Sequence, residues 1–276
     1  MKLISLLLPV LLAACGGGDQ AGGGGAPAAD SAPASSQVSG EVLVFAAASL
    51  REAMQELGTA FQRQAGARVT FNFAGSNDLA HQIAAARGMD LFLSASEAWM
   101  DTVQNAGRLV PGTRRDLLSN TLVVVANSRD TSTVAEPCAL ATLPFRNLAM
   151  GDPDAVPAGT YARTWMRSVQ CGGRPLWDAV RDRVAPAPDV RAAMGLVLAD
   201  PRVMAVAYRT DQIAFADRTR VLYEVRDGPP IRYALAQVAE GDNPAAAQRF
   251  REFLSTSQAA EVFRRHGFTP VPAAAP

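Results

Sequence analysis

"EVLVFAAASLREAMQELGTAFQRQAG", residues 41–66, carries the decision about the fold. It opens as a β-rich apolar run and passes through four small residues. It then places Leu50, Ala53, Met54, Leu57 and Phe61 on a 3.6-residue period, with Arg51, Glu52, Gln55 and Glu56 off it. Gly66 stops the helix, predicted over 50–64. A strand feeding an amphipathic helix is a βα unit, and two more follow. "ARVTFNFA" precedes a helix predicted over 78–87, and "DLFLSA" one over 97–105. This alternation argues an α/β fold with a largely parallel sheet.

Further along, "TLVVVAN" (121–127) begins a second series: "NLAMGD", a helix at about 159–170, "DRVAPAP", a helix over 190–199, and "VMAVAY". After the turn "RDGPP" come the strand "IRYALAQV" and two terminal helices, "NPAAAQRFREFLS" and "SQAAEVFRRHG". The series predict two lobes, the first from 41–122 and 236–276, the second from 123–235. No internal repeat at a fixed short period links them.

Composition removes several function classes. The 276 residues carry zero formal net charge and only 19% charged residues, so the footprint of a nucleic-acid binder is absent. Lys2 is the sole lysine, which excludes a P-loop or Schiff-base lysine in a mature chain. The start reads as an export signal, 1–15: Lys2, the apolar run "LISLLLPVLL", then "LAAC" ending at Cys15. That tetrapeptide resembles a bacterial lipoprotein box, which implies cleavage before Cys15 and lipidation of its sulfur. Residues 16–40, rich in Gly, Ala, Ser and Pro, read as a disordered tether with an r.m.s. reach of roughly 25 to 30 Å. Such a chain touches the membrane through its lipid only. Cys138 and Cys171 remain, either as a structural disulfide in an oxidising compartment or as two free thiols.

Ligands of open α/β sheets gather where strands end and helices begin. Four such junctions stand out: "AAAS" at Ser49, "AGSND" at Ser76, "VPAGTY" at Ala158 and "APDVRAAM" at Val190. Each offers first-turn N–H groups and the positive end of a helix dipole, the recipe for an anion site. Ser49 and Ser76 have an alternative reading as N-caps of their own helices. They lie in consecutive βα units, flanked by Ala or Gly, and so could face one another across the sheet top. Tyr208 closes "VMAVAY", where its phenol donates into the same cleft or serves as an amphipathic core residue.

The ordered set "VFAAASLREAMQELGTAFQRQAG", "FNFAGSNDLAHQI", "DLFLSASEAWMD", "LLSNTLVVVA", "GDPDAVPAGTYAR", "PDVRAAMGLVL", "VAYRTDQI" and "NPAAAQRFREFLSTSQAAEVFRRHGF" resembles the periplasmic molybdate-binding proteins of ABC transporters, from residue 41 to 268. The resemblance implies a two-lobed periplasmic (type II) solute-binding fold with two mixed, mainly parallel sheets. It implies a monomer that needs no cofactor, performs no catalysis and hands molybdate or tungstate to a permease. The implied oxyanion ligands are the hydroxyls of Ser49, Ser76 and Tyr208 and the main-chain N–H groups of Ala158 and Val190, with no cation ligands. Three stretches depart from the family pattern: "SAS" (94–96), "GSND" (75–78), and the long segment "MRSVQCGGRPLWDAVRDRV".

A donor-only site suits an oxyanion that carries no proton, because a protonated ligand would bury an unpaired O–H. Sulfate or another tetrahedral oxyanion is the neighbouring alternative, separated by size alone. A serine hydrolase would need His81 or His266 as base, and neither serine sits in a G-x-S-x-G elbow. A metal-ion carrier would need a ligand cluster that the spacing of His, Cys and Glu does not offer.

Overall fold

A computed structural model describes residues 39–272. The predicted signal 1–15, its Cys15, and the tether up to residue 38 lie outside the described residues, as do 273–276.

Glu41–Ala47 (β1) pairs in parallel with Arg68–Ala74 (β2) and with Leu91–Ser94 (β3). Parallel neighbours need crossover connections, and Arg51–Ala65 (α1) and Ser76–Ala85 (α2) supply them. The helix predicted from residue 50 begins one residue later, after a 3-10 turn at Ala48–Leu50. The predicted stripe is the buried face: Ala53, Met54, Leu57 and Phe61 all face inward. Gly66 ends α1 at φ 82°, its N–H donating to the Gln62 carbonyl, a left-handed stop that favours glycine. Glu97–Asn105 (α3) leads to Arg115–Asn120 (β4).

Only Thr121 separates β4 from Leu122–Asn127 (β5), and that single residue carries the chain into a second sheet. There Asn147–Gly151 (β6) is followed by Pro157–Ser168 (α4), a small hairpin of Gln170–Cys171 (β7) and Arg174–Pro175 (β8), and Leu176–Val180 (α5). Val184–Ala187 (β9), Val190–Ala199 (α6), Val203–Tyr208 (β10), Arg209–Ala214 (α7) and Thr219–Glu224 (β11) complete the lobe, in the sheet order β11-β5-β10-β6-β9.

The lobe boundary expected between 235 and 236 falls inside Ile231–Gln237 (β12), which pairs antiparallel with β3 and β4 and is a central strand of the first sheet. The turn at 226–230 ends in two prolines, which lack the N–H groups a ladder needs, so the chain leaves the second sheet after Glu224. Pro244–Phe253 (α8) and Ser257–Arg265 (α9) close the first lobe, and Thr269–Pro270 (β13) lies on the edge beside β4. Phe61 of α1 meets Phe250 and Phe253 with ring centroids 4.9 and 5.6 Å away.

Both sheets are mixed α/β layers, as the resemblance implied, although the parallel share is smaller than expected. Parallel pairing is confined to β2-β1-β3 and β10-β6-β9, the strands joined by crossover helices. The strands that carry the chain between lobes, β4, β5, β11 and β12, pair antiparallel with one another or with a core neighbour. In the second lobe Cys138 and Cys171 are bonded and close a loop of 33 residues. Loop-closure entropy makes such a bridge worth about 3 to 4 kcal/mol. It pins the long segment after α4, which folds as the β7–β8 hairpin and α5.

Candidate functional site

The carboxyl ends of β1 and β2 deliver the two serines. Ser49 lies in the 3-10 turn after β1, 3% exposed, with its Oγ 2.9 Å from the Tyr233 hydroxyl. Ser76 opens α2, 1% exposed, and its Oγ accepts the Ala95 N–H at 3.0 Å. Neither hydroxyl caps its own helix; the cap positions, Ala47, Leu50 and Gly75, make no side-chain bond. The N-cap reading of both serines is therefore replaced by tertiary contacts.

The second lobe offers backbone. Pro157 occupies the first position of α4, which needs no N–H, and Ala158 follows it. Gly159 lets α4 seat on the end of β6, since a Cβ there would collide with the Gly151 carbonyl oxygen. At α6, Asp189 caps the helix, its Oδ1 accepting the N–H groups of Arg191 and Ala192 at 2.7 and 2.9 Å. Ala158 and Val190 lie in the first turns of their helices, where N–H groups have no intrahelical acceptor. Tyr208, at the end of β10, is 1% exposed and its hydroxyl has no hydrogen-bond partner. Burial pushes that phenol well above its ordinary range, and the neighbouring Tyr233, Tyr161 and Asp211 push it the same way. It stays protonated and offers a donor.

Ser49, Ser76, Ala158, Val190 and Tyr208 all line one small cavity between the lobes. Ala47, Ala48, Ala74, Gly75 and Ala95 complete much of its wall, so the lining is small-sided and backbone-rich. No arginine or lysine is among the lining residues; the one carboxylate, Asp189, has turned Oδ1 to its own helix.

Three contacts cross the cleft beside this cavity. The Trp99 indole N–H donates to the Ala155 carbonyl at 2.9 Å. Arg191 forms a two-pronged pair with Glu52 of α1, Nη1 lying 2.9 Å from Oε1, while its Nε sits 2.7 Å from Asp211 Oδ1. Gly75 approaches the second lobe so closely that a Cβ would lie 2.9 Å from the Pro188 carbonyl oxygen. Asp211 is fully buried, and burial, opposed by Arg191 and reinforced by Glu52, raises its carboxyl from the usual range to about 7.

The departing stretches settle locally. In "SAS", Ser94 Oγ donates to the Ser96 carbonyl and Ser96 caps α3 through the Trp99 N–H. In "GSND", Asn77 Nδ2 donates to Asp78 Oδ1 at 2.8 Å. Sequence reasoning passed over Tyr233, Asn120, Trp99, Glu52 and Arg191. Tyr233 sits in an alternating strand and reads as core, and the other four are ordinary polar or aromatic residues until distant elements meet.

Residues 42–269 match the family described as bacterial extracellular solute-binding protein. The chain belongs to that family. The molybdate-binding protein ModA of Escherichia coli is 37% identical over 235 residues, 83% of this chain and 89% of that protein. Its namesake in Haemophilus influenzae is 31% identical, with 85% and 92% covered. In fold, the chain is similar to the periplasmic molybdate-binding protein of Azotobacter vinelandii, with a TM-score of 0.73, 19% identity, and 84% and 100% of the two chains covered. This family member is a solute-binding protein and no enzyme. His81 packs edge-on against Trp99 at 5.3 Å, and His266 ends α9 beside Glu56, whose carboxyl it holds below the usual range. Among the described residues no group of three or more His, Cys, Asp or Glu could hold a metal ion. No described helix is long and apolar enough to cross a membrane.

Proposed function

We propose that the chain captures molybdate, and tungstate with it, between its lobes and delivers the anion to the permease of an ABC transporter. One observation carries the reading: the hydroxyls of Ser49, Ser76 and Tyr208 and the helix starts at Ala158 and Val190 converge on one small cavity without a cationic side chain. Dipoles and hydroxyl donors suit a dianion whose four oxygens are all acceptors. They also spare the site a buried arginine, which would demand a large desolvation cost and exacting geometry. Reversible release is what a carrier needs.

In this reading the first lobe supplies the two serines and the second supplies Tyr208 and the amides, so a ligand bonded to both favours the closed form. Glu52–Arg191 and Trp99–Ala155 join the lobes at the rims of the same cleft. The protein works as a monomer in the periplasm, held to a membrane by a lipid on Cys15, with the tether of 16–40 as its leash. The relatives named for molybdate support the choice of anion. Calorimetric titration with molybdate, tungstate, sulfate and phosphate tests it. Tight binding of the first two over sulfate is expected; a preference for sulfate would reverse the assignment.

A further inference from the structure

Both serines of the cavity have their oxygens already occupied by protein donors. For Ser76 the donor is a backbone N–H, that of Ala95, which can do nothing else. For Ser49 the partner is a hydroxyl, Tyr233, and a pair of hydroxyls can run in either direction. The surrounding bonds decide the direction. Asn120 Oδ1 accepts the Thr121 N–H at 2.9 Å, which fixes the orientation of the amide. Its Nδ2 therefore donates both protons, one to Thr210 Oγ1 at 3.0 Å and one to the Tyr233 hydroxyl at 3.2 Å. Tyr233 is 0% exposed, so its own proton needs a protein acceptor; Ser49 Oγ at 2.9 Å is within hydrogen-bond distance, whereas the neighbouring Tyr208 hydroxyl, the other candidate, makes no bond of normal geometry. The chain of donation runs Asn120 to Tyr233 to Ser49, and the Ser49 proton is left for the cavity.

We propose that Tyr233, oriented by Asn120, is a positioning residue that sets specificity: by donating to Ser49 Oγ it engages one lone pair and leaves the Ser49 proton to be presented to the ligand. The inference rests on the reading of the cavity as an oxyanion site. With Ala95 donating to Ser76 Oγ, both serines have a lone pair engaged by the protein and their protons free for the cavity before any ligand arrives. Oxyanions without a proton, molybdate and sulfate among them, find every hydroxyl turned toward them. Hydrogen phosphate must place its O–H against a hydroxyl whose own proton is already turned toward it, an arrangement that costs between several-fold and about a hundred-fold in affinity.

Tyr233→Phe frees the Ser49 oxygen to accept, and Asn120→Asp reverses the relay, because a carboxylate draws the Tyr233 proton and Tyr233 then draws that of Ser49. The test is titration of the full chain, wild type and variants, with molybdate, followed by competition with sulfate and with phosphate at pH 8. In Tyr233→Phe, phosphate should gain at least about tenfold on molybdate while the sulfate-to-molybdate ratio holds. Asn120→Asp alone should weaken molybdate by about tenfold or more, and by much less when it is added to Tyr233→Phe. A phosphate-to-molybdate ratio unchanged in Tyr233→Phe overturns the proposal. So does an Asn120→Asp loss that is the same with and without Tyr233→Phe, since the added charge alone would then explain it. If Tyr233→Phe does not fold, the phosphate-to-molybdate ratio in Asn120→Asp alone decides: it should rise, because Ser49 then donates away from the cavity, and an unchanged ratio overturns the proposal, since the added charge acts alike on two dianions. A wild-type chain that binds no oxyanion at all sinks the reading of the cavity itself, a different outcome from a wild type that binds molybdate with a relay that does not matter.

Discussion

The two lobes equip one cavity in different ways. The first brings side chains, Ser49 and Ser76, each with its oxygen taken by a partner in the same lobe, Tyr233 and Ala95. The second brings the starts of α4 and α6, where the groups on offer are main-chain N–H, and adds a single phenol whose hydroxyl has no partner. Hydroxyls can turn and therefore need orienting; amides are held by the helix that carries them. The difference teaches that the first lobe sets direction and the second sets position. It also separates residues whose identity matters from residues whose place alone matters.

The largest expected effect lies on the side-chain half. Ser76→Ala removes a donor to a charged ligand and should raise the molybdate Kd by about 10- to 100-fold, read by calorimetry. A change below twofold would break the contrast between lobes. Next comes Gly75→Ala, whose new Cβ would lie 2.9 Å from the Pro188 carbonyl. Closure should be obstructed and affinity lost roughly tenfold, as for other overpacked contacts, with scattering from the liganded protein shifted toward a more open particle. Unchanged scattering would show that the close approach is not part of the liganded state.

A pH experiment sharpens the second lobe's side. The Asp211 carboxyl is raised from 3.8 to about 7 when folded, so the folded state holds that proton more tightly than the unfolded chain. Its contribution to stability is complete below about pH 4 and is lost as pH climbs through 7. The Tm of Asp211→Asn minus that of wild type should rise between pH 4.5 and 8; a difference flat across that window would show that Asp211 does not titrate there. The smallest effect is expected at Val190→Ala. The side chain is core, 4% exposed, so Tm should fall, while the N–H stays in place and the molybdate Kd stays within about twofold. A tenfold loss would mean that the valine side chain itself is part of the grip.

How much of this was legible follows the same division. The stripe of α1, its glycine stop and the ranges of α3 and α6 came from periodicity and caps, which are local properties. Ser49, Ser76, Ala158, Val190 and Tyr208 came from junction chemistry and the family resemblance, and the fold brings all five to one cavity. Strand β12, which the expected boundary cuts, shows where local reading ends. Alternation in "IRYALAQV" announces a strand equally well in either sheet, and pairing with β3 and β4 decides which. Whether Ser49 caps a helix or hydrogen-bonds a tyrosine hydroxyl far along the chain was likewise open until the fold closed.

The amino-acid order alone determined the βα units, the two-series layout and the small residues at the strand ends, because these depend on neighbours within a few positions. Only the tertiary structure decided the partner of β12, the bond between Cys138 and Cys171, and the hydrogen-bonded row of Asn120, Tyr233 and Ser49. Those depend on which distant groups are brought within about 3 Å of one another, a distance at which hydrogen bonds become directional and every buried proton must find an acceptor.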